Sequence, residues 1–225
     1  DWSSDVCSSD LFYNQFKTNF LDSSINNFNK KFITPYYYQD IGNSGTASRN
    51  LLFNTTNQTG FSSGFHSFDI YNFTLENTKL YNTTKPFTEL VYLLGSGAEQ
   101  MIQVTHTQNK KENINFSLEY RFNNAPGLFK NQNASLNNLR FTLQYNSPNK
   151  RYHLLALLIN NKSAVSENGG LIDVKKLDSL SLGNPFEAAT RIGPNNIIRR
   201  NPFSTAIYTG NTYIQNSLML QSHYD

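Results

Sequence analysis

The sequence predicts an all-β fold whose strands run up and down in antiparallel order. The chain of 225 residues contains 17 Phe and 13 Tyr beside 32 Asn, and aromatic residues favour strands whereas asparagine favours turns. Apolar and polar residues alternate with a period of two in several stretches, which places the apolar side chains on one face of a strand. Short turn-forming sequences separate those stretches, so we expect successive strands to pair as neighbours.

The first eleven residues, DWSSDVCSSDL, differ in composition from the rest of the chain. They contain the only Trp and the only Cys, and they lack the basic start and the apolar run of a signal peptide. We interpret them as a translated sequencing-library adapter that is not native sequence; the alternative is an ordinary acidic tail. Without Asp1, Asp5 and Asp10, the formal net charge rises from +3 to +6.

Residues 12–86 form an irregular N-terminal segment. The segment mixes aromatic residues with Asn, Gly and Ser, and no hydrophobic period of 2 or 3.6 is sustained along it. Its glycine-containing stretch GNSGTAS (42–48) lacks the spacing of a phosphate-binding loop, so we interpret that stretch as a turn.

Six strands are predicted after this segment. The clearest is INFSLEYRF (114–122), in which five apolar residues alternate with four polar ones. LRFTLQY (139–145) repeats the alternation, and NTYIQNSLMLQSHY (211–224) resumes it near the end of the chain. The other three predicted strands are 88–95, 100–108 and 151–160.

After the first hairpin, the connections between these strands alternate between short and long. Residues 110–113 and 147–150 are short turns, whereas 126–135 and 161–209 are long loops. Short periplasmic turns, long outer loops and aromatic residues near strand ends are typical of outer-membrane barrels. The pattern therefore favours an incomplete part of a transmembrane β-barrel over residues 87–225, with a long outer loop at 161–209. A soluble antiparallel β-sandwich shows the same alternation, so periodicity alone leaves that alternative open.

The two faces of the predicted strands carry the candidate functional residues. In a barrel, neighbouring strands satisfy the backbone, the outer face meets lipid and the inner face meets water. We expect lipid to contact Phe116, Leu118, Tyr120, Phe141, Leu143 and Tyr145. We expect the pore to be lined by Gln103, Asn115, Glu119, Arg121, Arg140 and Gln144. Lumen charges tune selectivity, although the three charged residues suit a structural network in the barrel wall equally well.

Several other classes of function have no supporting motif. The four histidines are too far apart in sequence for a metal site, and no nucleophile elbow is present. Lys and Arg are scattered instead of forming a nucleic-acid-binding patch. We therefore expect no enzyme activity, no catalytic residue, no metal, no cofactor and no nucleic-acid partner. A soluble β-rich enzyme would need a pocket of convergent titratable groups, which the sequence does not indicate.

Four stretches of unusual sequence carry a resemblance to a known family. They are YQDIGNSGTASRNLLFN (38–54), GFHSFDIY (64–71), KPFTELVYLLGSGAEQMIQVTHTQN (85–109) and NKRYHLLALLINNKSAVSENGG (149–170). In wording, order and spacing they resemble the putative porins of Bacteroidota, which are outer-membrane β-barrels. The resemblance covers most of residues 20–225, and it implies a signal peptide before residue 12 and further strands after residue 225.

The resemblance implies a porin in the bacterial outer membrane that lets small solutes diffuse passively. Outer-membrane lipid and small solutes would be its partners, with homo-oligomerisation as a further option. The alternatives are a plugged, ligand-specific outer-membrane transporter and a surface binding protein. Two placements stay open for residues 12–86, which are too polar to cross lipid: a plug inside the barrel, or the periplasmic side.

Overall fold

The computed structural model describes residues 31–53, 64–111, 113–127, 129–175, 188–194 and 207–224. The first eleven residues, and the adapter interpretation with them, lie outside these ranges. The described strands form one two-stranded and one six-stranded sheet, both antiparallel, so the predicted all-β class is confirmed. Within the same ranges, no helix is long and apolar enough to cross a membrane.

Eight strands follow one another along the described chain. β1 (Tyr38–Asp40) and β2 (Ser48–Asn50) form a short hairpin, and the six long strands pair consecutively from β3 to β8. The long strands are β3 (Phe87–Leu94), β4 (Gln100–Lys110), β5 (Ile114–Ala125), β6 (Ala134–Asn146), β7 (Tyr152–Ser166) and β8 (Gly210–Tyr224). Single turns of 3-10 helix occur at Asp69–Tyr71 and Ser96–Ala98.

Tight turns lie at one end of the six-stranded sheet. Residues 111–113 join β4 to β5, and residues 147–151 join β6 to β7. Lys111 and Lys150 adopt left-handed backbone conformations there, with φ of 60° and 57°, which is uncommon outside glycine and typical of tight turns. Residues 126–133 and 167–209 make longer connections at the opposite end. The predicted alternation of short and long connections is therefore confirmed.

The strands extend further toward the long connections than the sequence pattern predicts. β6 begins at residue 134 instead of 139, and β7 ends at residue 166 instead of 160. The predicted start of the long loop at 161 was therefore wrong. The hydrogen-bonded ladder continues through Asn138 opposite Asn161 and Asn137 opposite Lys162. Backbone pairing needs no apolar side chain, so the strands continue where the alternation of apolar and polar residues stops.

Burial on the two faces of the six-stranded sheet is the reverse of that in a soluble protein. On one face, Glu119 and Arg140 are only 6% and 3% exposed. On the other face, Leu118, Phe141, Leu158 and Leu218 form a continuous cross-strand row whose members are 38–76% exposed. A soluble antiparallel sheet buries its apolar face and solvates its polar one. The arrangement is that of a barrel wall and not of a β-sandwich.

The wall is an open sheet. Among the described residues, no strand pairs with the outer edge of β3 or of β8. An open edge presents unpaired N–H and C=O groups, which lipid cannot satisfy. The six strands therefore form an incomplete part of a barrel.

We expect the 225-residue chain not to persist as a soluble monomer in water. Its open sheet edges and exposed apolar face favour association with other copies. Light scattering coupled to size exclusion should find aggregates without detergent and a monodisperse, β-rich species in micelles. A cooperatively unfolding monomer of 25.7 kDa in plain buffer would contradict this expectation.

Candidate functional site

The candidate site is the polar face of the six-stranded sheet, defined as the face that carries Glu119 and Arg140. The register places all six predicted pore-lining residues on this face, as three directly opposed pairs. The pairs are Gln103 with Arg121, Asn115 with Gln144, and Glu119 with Arg140. Their placement on one face agrees with the sequence pattern, whereas their contact with a solute stays a prediction.

A buried ion pair lies at the centre of the polar face. Arg140 Nη2 donates to Glu119 Oε2 at 2.5 Å. Arg140 Nη1 also donates to the backbone oxygen of Asn77 at 3.1 Å and to its Oδ1 at 2.7 Å. The Tyr81 hydroxyl donates to Glu119 Oε1 at 3.2 Å. Burying charge is costly unless it is paired and hydrogen-bonded, and here residues outside the sheet supply hydrogen bonds to both charged groups.

A second guanidinium leaves this cluster with an excess positive charge. The Cζ atoms of Arg121 and Arg140 lie 4.7 Å and 4.5 Å from the centroid of the Phe73 ring. Both distances are within the range of favourable cation–π contacts. Because Glu119 balances only one of the two arginines, the cluster has a net charge of +1. The described residues contain no group of three or more His, Cys, Asp or Glu that could hold a metal ion.

Residues 71–83, which we call the strap, cover the polar face from one end to the other. Near the long connections, Asn138 Nδ2 donates to the backbone oxygen of Tyr71 at 2.5 Å. Near the short turns, Asn109 Oδ1 accepts from the backbone N–H of Thr83 at 3.3 Å, and its Nδ2 donates to Asn82 Oδ1 at 2.6 Å. The strap therefore runs along the wall from β6 to the far end of β4.

Asn161 of β7 binds the strap as a neighbouring strand would. Its Oδ1 accepts from the backbone N–H of Phe73 at 3.0 Å, and its Nδ2 donates to the Phe73 oxygen at 2.8 Å. These are the acceptor and the donor that a hydrogen-bonded residue offers in an antiparallel ladder. The Phe73 side chain is 3% exposed and packs on Leu157 and Ile159. Asn161 thus fixes the backbone of Phe73, while Leu157 and Ile159 bury the Phe73 ring.

The β1–β2 hairpin docks on the same face at the end with the long connections. Asn43 Nδ2 donates to the backbone oxygens of Ala125 and Gln132 at 3.1 Å and 2.9 Å. Gly45 has φ of +90°, and a Cβ there would lie 3.3 Å from Ala134 Cβ. The GNSGTAS stretch is therefore the predicted turn, and glycine is required in it for both backbone conformation and close approach.

Two tyrosines of the strap are buried against the wall. Burial raises the pKa of Tyr71 to about 12. Burial also raises the pKa of Tyr81, and the negative charge of Glu119 acts in the same direction. Both phenols are consequently protonated at neutral pH, so the Tyr81 hydroxyl keeps its proton for the hydrogen bond to Glu119.

The sequence pattern missed the asparagines of the wall and the strap that they bind. Asn138 and Asn161 lie just beyond the predicted strands 139–145 and 151–160. A usable signal exists for Asn138, since it precedes the predicted pore-lining residue Arg140 by two positions and must share its face. Phe73 and Asn77 lie in a segment without hydrophobic period, where no such signal marks them.

The opposite, apolar face carries all six residues predicted to contact lipid. Leu118 is paired with Phe141, and Phe116 with Leu143. Tyr120 and Tyr145 lie one step further in each direction, opposite Leu139 and Ile114. The register thus confirms that the six share one face, and lipid contact itself stays a prediction.

The band of apolar residues on this face is oblique to the strands. Following the register, Leu94 of β3 is level with Asn124 of β5, whereas Leu220 of β8 is level with Phe116. Polar residues occupy this face at the other two corners of the sheet, Thr88 of β3 and Thr212 of β8. Barrel strands tilt by about 35–45°, so a level membrane boundary crosses successive strands at shifted positions. The slant is the one that a tilted wall requires.

Removing Arg140 alone should destabilise the protein. Arg140→Ala leaves Glu119 buried without its partner, which costs about 3–5 kcal/mol, whereas Glu119→Leu/Arg140→Met removes both charges and should cost less. Denaturant unfolding of the complete protein, refolded in lipid vesicles, measures the difference. Gln144→Ala, on the same face outside the ion pair, is the matched control. Equal stability of Arg140→Ala and the control would refute a structural role for the pair.

A charge on the apolar face should be costly at the middle of the band and tolerated at its rim. We expect Leu158→Arg to cost about 2–4 kcal/mol in a bilayer, and Asn137→Arg on the same face about 0–1 kcal/mol. The same vesicle unfolding assay compares the two variants. Similar losses at both positions would mean that this face does not meet lipid as the oblique band indicates.

No curated protein and no solved structure matches the chain. A family model described as a putative porin matches residues 1–224. Because the match extends over nearly the entire sequence, the chain belongs to the putative porin family.

Proposed function

We propose that this protein is a porin of the bacterial outer membrane that allows small solutes to diffuse passively. The observation that carries the proposal is the reversed burial of the sheet in a member of the putative porin family. An apolar outer band suits lipid, and a polar inner face suits a water-filled path. No chemical step and no cofactor are needed, because diffusion down a gradient supplies the driving force.

The connections suggest an orientation in the membrane. In this proposal, the short turns 111–113 and 147–151 face the periplasm, and the longer connections 126–133 and 167–209 face outward. The strap then leads from the outer end of the wall to the periplasmic end, where β3 begins at Phe87. The chain enters its first wall strand from the periplasmic side.

The charges of the polar face favour anions over cations. Arg121 adds a positive charge that Glu119 does not balance, because the carboxylate is engaged by Arg140. Charges in a lumen set its ion preference through the local potential. The described part of the wall therefore supports a weakly anion-selective path.

A plugged, ligand-specific transporter is the second candidate. The observation that favours it is the cover over the polar face, formed by the β1–β2 hairpin and the strap. A plugged barrel conducts no ions at rest, whereas an open porin shows steady ohmic steps. Conductance therefore separates the two candidates.

We expect the complete gene product to form ohmic channels in a planar bilayer, with a reversal potential shifted toward anions. Arg121→Gln removes the unbalanced positive charge and should shift the reversal potential toward cations. Lys162→Gln removes the same charge from the apolar face and should leave the selectivity unchanged. A folded barrel without conductance would favour the plugged transporter, and equal shifts in both variants would exclude the polar face as the path.

A further inference from the structure

We infer that the strap, residues 71–83, is a constriction built into the lumen, and that the wall holds it through both its backbone and its side chains. The inference rests on the proposed function, because a constriction requires a path to narrow. The inference names the segment that narrows the path and the wall residues that bind it. It also states that releasing the segment raises conductance, which neither the family nor the strand pattern indicates.

The strap occupies the polar face at three successive levels. At the outer level, Asn138 and Asn161, which are cross-strand partners, bind Tyr71 and Phe73. At the middle level, Arg140 binds Asn77. At the inner level, Asn109 binds Asn82 and Thr83. A solute moving along this part of the wall would meet the strap at every level.

The wall binds the strap through its backbone as well as its side chains. Asn138 and Asn161 contact only main-chain atoms of Tyr71 and Phe73 in their bonds to the strap. Arg140 and Asn109 also bind main-chain groups, beside their contacts to asparagine side chains. Tyr81 and the Phe73 ring add side-chain contacts to the wall. Backbone and side-chain contacts together fix the path of the strap along the polar face.

The strap covers the Glu119–Arg140 ion pair, which would otherwise act on a solute. The Phe73 ring lies against both guanidinium groups, and the Tyr81 hydroxyl engages the carboxylate of Glu119. With the strap in place, the ion pair is buried, whereas Arg121 is only half-buried. Displacing the strap would expose Arg140 and Glu119 to the path, and would change both its width and its electrostatic potential.

The strap can leave without disrupting the wall. Each pair of adjacent wall strands is joined by a continuous ladder of 8 to 15 opposed residue pairs, whereas separated side-chain contacts hold the strap. Segments with fewer backbone hydrogen bonds open locally at lower free energy than paired strands. The strap should therefore open locally at a lower free energy than the wall strands.

The test combines hydrogen exchange with single-channel recording on the complete gene product. Asn161→Leu keeps the size of the wall side chain but removes both hydrogen bonds to Phe73. Its neighbour Asn160 points to the other face, where it bonds to Asn216, so Asn160→Leu is the matched control. Phe73→Ala removes the buried ring, and Phe116→Ala on the apolar face removes the same volume elsewhere.

We expect Asn161→Leu and Phe73→Ala to accelerate amide exchange in residues 71–83 by about tenfold to a hundredfold, as loss of one or two hydrogen bonds predicts. Unit conductance should rise in these two variants and stay unchanged in both controls. Peptide-level mass spectrometry reports the exchange, and exchange in β5 and β6 reports that the wall remains folded.

Each outcome separates the strap from the porin proposal. A conducting wild type whose conductance is unchanged after the strap is released would overturn the inference and leave the porin intact. A silent wild type that conducts only after release would support the inference and overturn passive diffusion at rest. Release without conductance in any variant would overturn both. Unchanged exchange in residues 71–83 would show that these contacts do not hold the strap and would overturn the inference.

Discussion

The structure depends on backbone pairing along its long strands. In the proposed function one face of these strands meets lipid, and no water is present inside a bilayer to satisfy backbone N–H and C=O groups. The ladders from β3 to β8 also continue beyond the apolar band, through Asn138 and Asn161, because backbone pairing needs no apolar side chain. Amphipathic alternation therefore marks the middle of each strand better than its ends.

Pairing of the backbone leaves a second requirement, since polar side chains enclosed by a wall need partners of their own. The N-terminal segment supplies many of them. Asn77 and Tyr81 add hydrogen bonds to the Glu119–Arg140 pair, and Asn43 reaches main-chain oxygens at the end of β5 and in the following connection. The irregular segment and the regular wall are therefore complementary: the strap has no sheet of its own, and it supplies hydrogen-bond partners to polar side chains of the wall.

The sequence predicted the parts of the fold that depend on side-chain alternation. Residues 114–122 and 139–145 place eleven of the twelve candidate residues on the faces that the register shows, because a period of two fixes the face once the strand is known. The strap could not be predicted in this way. Many of its hydrogen bonds to the wall involve main-chain groups, and main-chain groups leave no pattern in the sequence. Strand ends were underestimated for the same reason, since Asn137 and Asn138 are both polar although they face opposite sides.

The position of the strap in the chain constrains the order of assembly. The strap precedes all six described wall strands in sequence, yet it lies on the side that a closed barrel would enclose. A segment enclosed by a ring must be in place before the ring closes or be threaded through it afterwards, and folded chains rarely thread. Chain order makes the first route available. The strap can serve as a template on which β4 to β7 assemble, so that the strap already occupies the interior when the barrel closes.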